Sequence, residues 1–467
     1  MAERHSADYD LIIVGTGSGK EVLRESMDSW RIAIVERSET FGGTCLNVGC
    51  IPSKMFVRTA ELAFDARDAG RFGVDAELRA VHWPAVRDRI FGRIDPIGRD
   101  ARADLSARAN IDVYTAQARF RGPRTLELST GETITGRQIV IATGSSPVIP
   151  DVLRDSGIDV HTSDTMLRLD RLPARLVVVG GGYIAAEFAH VFSSLGSQVD
   201  LVVRGDRMLA GLDDDISAAF SARAQQQWRV HWRREVVAAT RTATGTATGA
   251  RLTLTDGTEL EADAVLVAAG RRPNTADLGG PAAGLELEPD GRLLVDEFQR
   301  TGVPGIWALG DVSSPQMLKH VANYDAKVVA HNLLHPDELI ASRHRVVPAA
   351  VFSHPEVATV GLSEAAARAG AARIEVLRHD YRDVAYGWAL EDTTSFVKVI
   401  ADASSGHILG AHVIGPQASL LIQPLVQAMA FGQTALAVAR AQYWIHPALS
   451  EVVENTLLHF PDDAPDD

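Results

Sequence analysis

Cys45 and Cys50 are the only cysteines in the 467-residue sequence. They stand five positions apart in Gly42-Gly43-Thr44-Cys45-Leu46-Asn47-Val48-Gly49-Cys50-Ile51-Pro52-Ser53-Lys54. Pro52 fixes φ and has no N–H to lose, so this spacing predicts a helix with Pro52 in its first turn. The positive end of such a helix faces Cys50, and helix N-termini lower a thiol pKa to roughly 3.5–7.5 from about 8.5. Lys54 lies four residues beyond Cys50 and therefore on the same helical face. Zinc would want four Cys or His ligands in closely spaced pairs, and no His is near. Two inert buried thiols are a second alternative. The surrounding glycines instead suit close approach of backbone to something flat or charged. A redox-active disulfide is the chemistry these residue types support.

A proton carrier stands near the other end of the chain, in Tyr443-Trp444-Ile445-His446-Pro447-Ala448-Leu449-Ser450-Glu451. Pro447 predicts a helix start, with His446 just before it and Glu451 one turn inside. Histidine titrates near neutral pH, and a carboxylate accepting from its ring N–H fixes the tautomer. A His before a Pro also simply marks a helix boundary, so both readings stand.

Two glycine-rich loops must position these groups against cofactors. Asp10–Val14 reads as a buried strand, followed by Gly15-Thr16-Gly17-Ser18-Gly19-Lys20, a helix, and a second strand Arg31–Glu36. Glu36 comes 21 residues after Gly15, where a dinucleotide fold places the carboxylate for a ribose hydroxyl. Lys20 departs from the small residue expected there, and Gly19 takes over close packing. Leu176–Val179 opens a second unit, Gly180-Gly181-Gly182-Tyr183-Ile184-Ala185-Ala186-Glu187, in which Gly180, Gly182 and Ala185 fill the fingerprint positions. Ile184, Phe188, Phe192 and Leu195 form one helical face. The strand Gln198–Val203 ends without an acid and is followed by Arg204 and Arg207, which suit a 2′-phosphate and so NADP, or are solvated turn residues. Apolar strands run into Thr143-Gly144 and into Gly270, the first of them a crossing between domains. Asp311 ends Ile306–Gly310 and either meets a ligand or caps a helix.

Length implies two to four domains. The net charge of −14 opposes a nucleic-acid or anionic-membrane surface. No run approaches a membrane span or signal peptide, and two cysteines suit a reducing cytoplasm. Helical periodicity covers residues 55–110, β-rich sequence Ile111–Ile141, and a hairpin turn Ala239–Ala250. Val347–Val360, Phe396–Ile400 and Ile408–Ile414 read as strands of a third, mixed α/β domain. The acidic Pro461–Asp467 reads as a disordered tail.

Taken in order, GTGSG, GGTCLNVGCIPSK, ATGS, GGGYIAAEFA, ALGD and HPALSE resemble the flavin-dependent pyridine nucleotide-disulfide oxidoreductases over nearly the whole chain. FGRIDPI (91–97), LKHVAN (318–323), DVAYGWALEDT (383–393) and QYWIHPALSEVVEN (442–455) are similar to that family's mycothione-disulfide branch. The resemblance implies an α/β fold with two Rossmann-like dinucleotide-binding domains and a C-terminal mixed α/β dimerisation domain. FAD would take 1–153 and 274–342, NADPH 154–273, and the dimer interface 343–467. It implies FAD at Gly15, Gly17, Gly19, Glu36, Gly43, Thr44, Thr143, Gly144 and Asp311. NADPH falls at Gly180, Gly182, Tyr183, Ala185, Arg204, Arg207 and Gly270, with Tyr183 as an aromatic lid. Lys54 and Glu187 become the ion pair beside the flavin. Cys45 becomes the thiol that attacks the substrate and Cys50 the thiol facing the flavin. His446 and Glu451 become an acid–base pair supplied by the other subunit of a homodimer. Ala210 stands where relatives often carry a second phosphate-binding arginine. The implied activity is NADPH-dependent reduction of a small thiol disulfide, mycothione foremost, without a metal. The alternatives are dihydrolipoamide dehydrogenase, glutathione reductase, or a flavin-bound redox sensor that does not turn over.

Overall fold

The computed structural model describes residues 7–244, 247–370 and 373–461. Leu11-Ile12-Ile13-Val14 and Ile32-Ala33-Ile34-Val35 are wholly buried apolar runs, as a parallel sheet covered on both faces requires. Their strands, Ala7–Val14 and Ile32–Glu36, pair in parallel, and Ala7–Val14 pairs on its other side with Thr133–Ile141. Ile111–Thr115 and Ile306–Ala308 extend the parallel part. Thr125–Leu128 and Ala118–Gly122 add an antiparallel edge, making seven strands. A second sheet is parallel throughout, in the order Arg229–Trp232, Gln198–Val203, Arg175–Val179, Ala264–Val267, Val160–His161. The helix Tyr183–Leu195 buries Phe188, Phe192 and Leu195 in the core beside it. The chain passes between these sheets at Ser145–Pro147 and Arg271–Pro273, and the two crossings pair antiparallel.

The C-terminal sheet is antiparallel, in the order Ala349–Val351, Val357–Gly361, Ile408–Ile414, Phe396–Asp402, Ile374–Asp380. Leu425, Val438, Val452 and Leu457, from the helices beside it, share its core. Lys398 fastens this sheet to the helix Asp214–Gln227. Its side chain is only 2% exposed, and Nζ lies 2.9 Å from Asp213, 2.7 Å from Asp215 and 2.8 Å from Glu364. Among the described residues no helix is long and apolar enough to cross a membrane.

Several expectations are corrected. The first glycine loop is not followed by an α-helix but by two 3-10 turns, Gly19–Val22 and Glu25–Met27. Residues 55–110 hold two helices, Cys50–Asp68 and Trp83–Ser106, with irregular chain at 73–82 between them. The helix after His446 starts at Ser450 and not at Pro447, because the Ala448 amide donates to Glu451 Oε2 at 3.2 Å and holds a turn ahead of it. Val347–Val360 is split by irregular chain at residues 352–356, and Ile374–Asp380 is a strand the sequence reading lacked. Ala239–Ala250 is mostly strand, within Val236–Thr244 and Ala247–Leu254, and residues 245–246 lie outside the described residues. So does the tail beyond Pro461. Asp311 sits in the 3-10 turn Gly310–Val312 and caps no α-helix.

Candidate active site

The glycines of the first loop are demanded by contact. Gly15 has φ +104°, and a Cβ there would overlap the Ala142 carbonyl oxygen at the end of the neighbouring strand. A Cβ on Gly43 would stand 2.6 Å from the Gly17 Cα, so this loop and the cysteine segment touch backbone to backbone. A Cβ on Gly19 would press on Ala142 and Ile13 at 2.9 Å, which is the close packing expected of it. Glu36 Oε2 accepts from the Thr16 amide at 2.9 Å and its hydroxyl at 2.7 Å, while Oε1 accepts from the Ser38 amide at 3.1 Å. The carboxylate is thereby held at the C-terminal edge of the parallel strands, where such sheets take ligands. Asp311 Oδ2 accepts from Ser145 Oγ at 2.6 Å, and Arg271 Nε donates to that same hydroxyl at 2.9 Å. The Thr143 hydroxyl donates to the Asn274 carbonyl at 3.1 Å.

Gly15, Thr16, Gly17, Glu36, Gly43, Thr143, Ser145, Arg271 and Asp311 line one cavity of about 500 Å³, together with Gly144, Cys45, Cys50, Lys54, Tyr183 and Glu187, whereas Gly19 packs behind it and does not line it. Its wall of backbone glycine and the carboxylates of Glu36 and Asp311 fit a dinucleotide.

Cys45 lies in the short helix Gly43–Asn47, and Cys50 is the first residue of the helix Cys50–Asp68. Both are free thiols here. The hydrogen bond between them divides their acidity. It lowers Cys50 to about 7, burial opposing it and the Lys54 cation assisting. The same bond, with burial, pushes Cys45 far above an ordinary thiol. Lys54 Nζ donates to both Glu187 oxygens at 2.8 Å and stands 4.7 Å from the Phe352 ring centre. Glu187, only 4% exposed, also accepts from the Phe352 amide at 3.1 Å. Three segments thus meet at one ion pair beside the dithiol.

The second cradle repeats the first. Gly180 has φ +140°, and a Cβ would overlap the Ala268 carbonyl oxygen. Gly182 immediately precedes the helix Tyr183–Leu195, Ala185 is fully buried, and Gly270 has φ +116°. Arg204 is exposed and meets no ion-pair partner among the described residues. Arg207 is engaged by Asp214 at 2.7 Å, so only Arg204 is free to take a phosphate as the structure stands. Tyr183 is half-exposed at the cavity wall. His446 Nδ1 and Glu451 Oε1 are 2.7 Å apart, the predicted pairing, but they stand on the C-terminal surface and do not line the cavity of their own chain. Tyr443 and Ile445 beside them are exposed.

Residues 9–326 match the family model described as pyridine nucleotide-disulphide oxidoreductase, and 347–457 match its dimerisation domain. The chain belongs to that family. The oxidoreductase is 52% identical over 459 residues to mycothione reductase of Mycobacterium tuberculosis (strain ATCC 25618 / H37Rv), covering 96% of this chain and 99% of the relative. It is 32% identical over 451 residues to glutathione reductase of Burkholderia cepacia, covering 95% and 97%. The solved HOCl-induced flavoprotein disulfide reductase RclA from Escherichia coli matches with a TM-score of 0.85 at 26% identity, over 97% of this chain and all of that one. The oxidoreductase uses FAD and a pyridine nucleotide. Sequence reasoning missed Ser18, Ser145, Arg271, Asn274 and Lys319, all cavity residues. Arg271 follows a noted glycine and Lys319 lies inside LKHVAN, but neither stretch had been tied to a cavity wall.

Proposed function

We propose that the chain is an NADPH-dependent FAD enzyme that reduces mycothione to mycothiol through a Cys45–Cys50 disulfide, as a cytoplasmic homodimer. The dithiol carries the reaction: two thiols of split acidity stand at one helix start, between two glycine cradles. The high identity to mycothione reductase over nearly the whole of both chains supports the substrate. Gly15, Gly17, Glu36, Gly43 and Asp311 would hold FAD, which would supply the redox chemistry linking NADPH to the Cys45–Cys50 disulfide. We assign FAD to residues 1–153 and 274–342, NADPH to 154–273, and subunit contact to 343–467.

Once reduced, Cys45 gives its proton to His446 of the partner subunit and attacks one sulfur of the substrate disulfide. A mixed disulfide forms, and the first thiol departs with a proton from His446 of the partner subunit. Protonation matters because a thiolate leaving group would attack back. Glu451 holds Nδ1 of that histidine and so aims the other ring nitrogen. Cys50, ionised near neutral pH, then attacks the Cys45 sulfur and restores the internal disulfide, and the second substrate sulfur leaves as a thiolate that takes up the proton Cys50 had given up. That His446 stands on the C-terminal surface and does not line the cavity of its own chain supports a pairing across subunits. Arg204 takes the 2′-phosphate that distinguishes NADPH from NADH.

The test is NADPH oxidation by purified enzyme, with mycothiol disulfide, glutathione disulfide and lipoamide at equal concentration. Strong preference for mycothiol disulfide is expected. Equal or reversed rates refute the substrate while leaving the reductase reading in place.

A further inference from the structure

Lys319 is a cation without a carboxylate. Lys54 meets Glu187, and Lys398 meets Asp213, Asp215 and Glu364, whereas Lys319 meets no acid among the described residues. It opens the helix Lys319–Leu334 and lines the cofactor cavity. Its Nζ donates to Ser18 Oγ at 2.9 Å, and Ser18 Oγ donates to Asn323 Oδ1 at 3.1 Å, one turn along the same helix. Ser18 follows Gly17, the residue whose backbone touches Gly43, and Cys45 lies two residues beyond Gly43. Lys319, the first residue of a sixteen-residue helix, thus shares one cavity with Cys45 and is tied through Ser18 to the loop that touches the cysteine segment.

We propose that Lys319 is a positioning residue for disulfide exchange: held by Ser18 across the Gly17–Gly43 contact, its ammonium stabilises the Cys45 thiolate at the moment of attack. This rests on Cys45 being the attacking thiol.

The need for such a charge is local. The hydrogen bond to Cys50 and burial both keep the proton on Cys45, and of the two cations that oppose them Lys319 acts more strongly than Lys54. Burial holds the Lys319 ammonium below the ordinary lysine range, the thiols opposing that shift. Lys20 and Glu21 also face it, with opposite signs that offset each other. The two lysines thus divide the work. Lys54, one turn along the helix from Cys50, serves the resolving thiol, and Lys319 serves the attacking one. No electron or atom is transferred to the lysine. Cys45 still loses its proton to His446 of the partner subunit, and the lysine changes only how readily that proton leaves.

The experiment follows alkylation of the NADPH-reduced holoenzyme by iodoacetamide as a function of pH, with Cys45 and Cys50 separated by peptide mass mapping. Wild type, Lys319→Met and Lys319→Arg are compared, and bound FAD is read from flavin absorbance. Lys319→Met is expected to lower the Cys45 thiolate fraction at neutral pH about tenfold, the size of one unit charge felt across a partly shielded site. Lys319→Arg restores most of it, and Cys50 moves less in both. An unchanged Cys45 profile in Lys319→Met overturns the proposal, and FAD loss with that unchanged profile assigns the lysine to the cofactor. Wild-type enzyme whose Cys45 stays unalkylated through the whole pH series, alkaline end included, would sink the attacking-thiol assignment itself, and the proposal with it.

Discussion

Lys54→Met removes one cation from two anions at once, and the two effects can be read separately. Residues four apart on a helix have Cβ atoms about 5–6 Å apart, so Lys54 and the Cys50 thiolate interact by about 2–3 kcal/mol at an effective dielectric of about 20. The Lys54 side chain is 34% exposed, so solvent screening roughly halves this, to about one pKa unit. The Cys50 midpoint of about 7 should then rise to about 8. The larger part of the Cys50 shift comes from the Cys45 hydrogen bond, which the substitution leaves in place. The second effect falls on Glu187, whose side chain is 6% exposed and would keep only the Phe352 amide and a buried charge. Breaking such a pair on one side costs about 3–5 kcal/mol of stability. Adding Glu187→Gln should return most of the stability and only part of the thiol shift, because Glu187 itself raises Cys50. Cys50 alkylation against pH in reduced holoenzyme measures the first effect, and urea denaturation the second. A Cys50 midpoint unchanged in Lys54→Met, with flavin retained, refutes the electrostatic reasoning. Stability unchanged in the single variant refutes the burial argument.

Gly15→Ala should abolish flavin retention, since its Cβ would strike the Ala142 carbonyl oxygen at a left-handed φ; absorbance of the purified protein checks this. A further prediction concerns pH. His344 Nε2 stands 2.7 Å from the fully buried Asp325, and this hydrogen bond raises the histidine above its ordinary value. A group raised in the folded state contributes stability that is complete below its unfolded value of about 6.5 and is lost as pH rises through the higher folded value. His344→Gln should therefore flatten the stability-against-pH curve across that window in urea titrations. A slope equal to wild type would rule the contact out as a source of pH dependence.

Local order along the chain was enough to locate the chemistry. Pro52 in the first turn and Lys54 four residues beyond Cys50 concern neighbours on one helix, and the structure keeps that arrangement, with Cys45 in the short helix just before it. The glycines at Gly15 and Gly180 were legible for a similar reason: each sits where a strand ends and the backbone must turn sharply with φ positive. His446 and Glu451 find each other because they are five residues apart. The α-helix expected after Gly19 is two 3-10 turns in the structure, a difference that the spacing from Gly15 to Glu36 did not reveal.

What only the tertiary structure decided are the contacts between distant segments. Glu187 meets Lys54 across 133 residues, Lys319 meets Ser18 across 301, and Asp311 meets Ser145 across 166. Such pairings follow from the parallel sheets, which bring the C-terminal ends of several strands to one cavity wall and leave sequence separation without meaning there. The split acidity of the thiols belongs to the same class, since it depends on burial and on cations that the fold delivers. Residue types along the chain determined that a dithiol could react; packing decided which of its two sulfurs holds the proton.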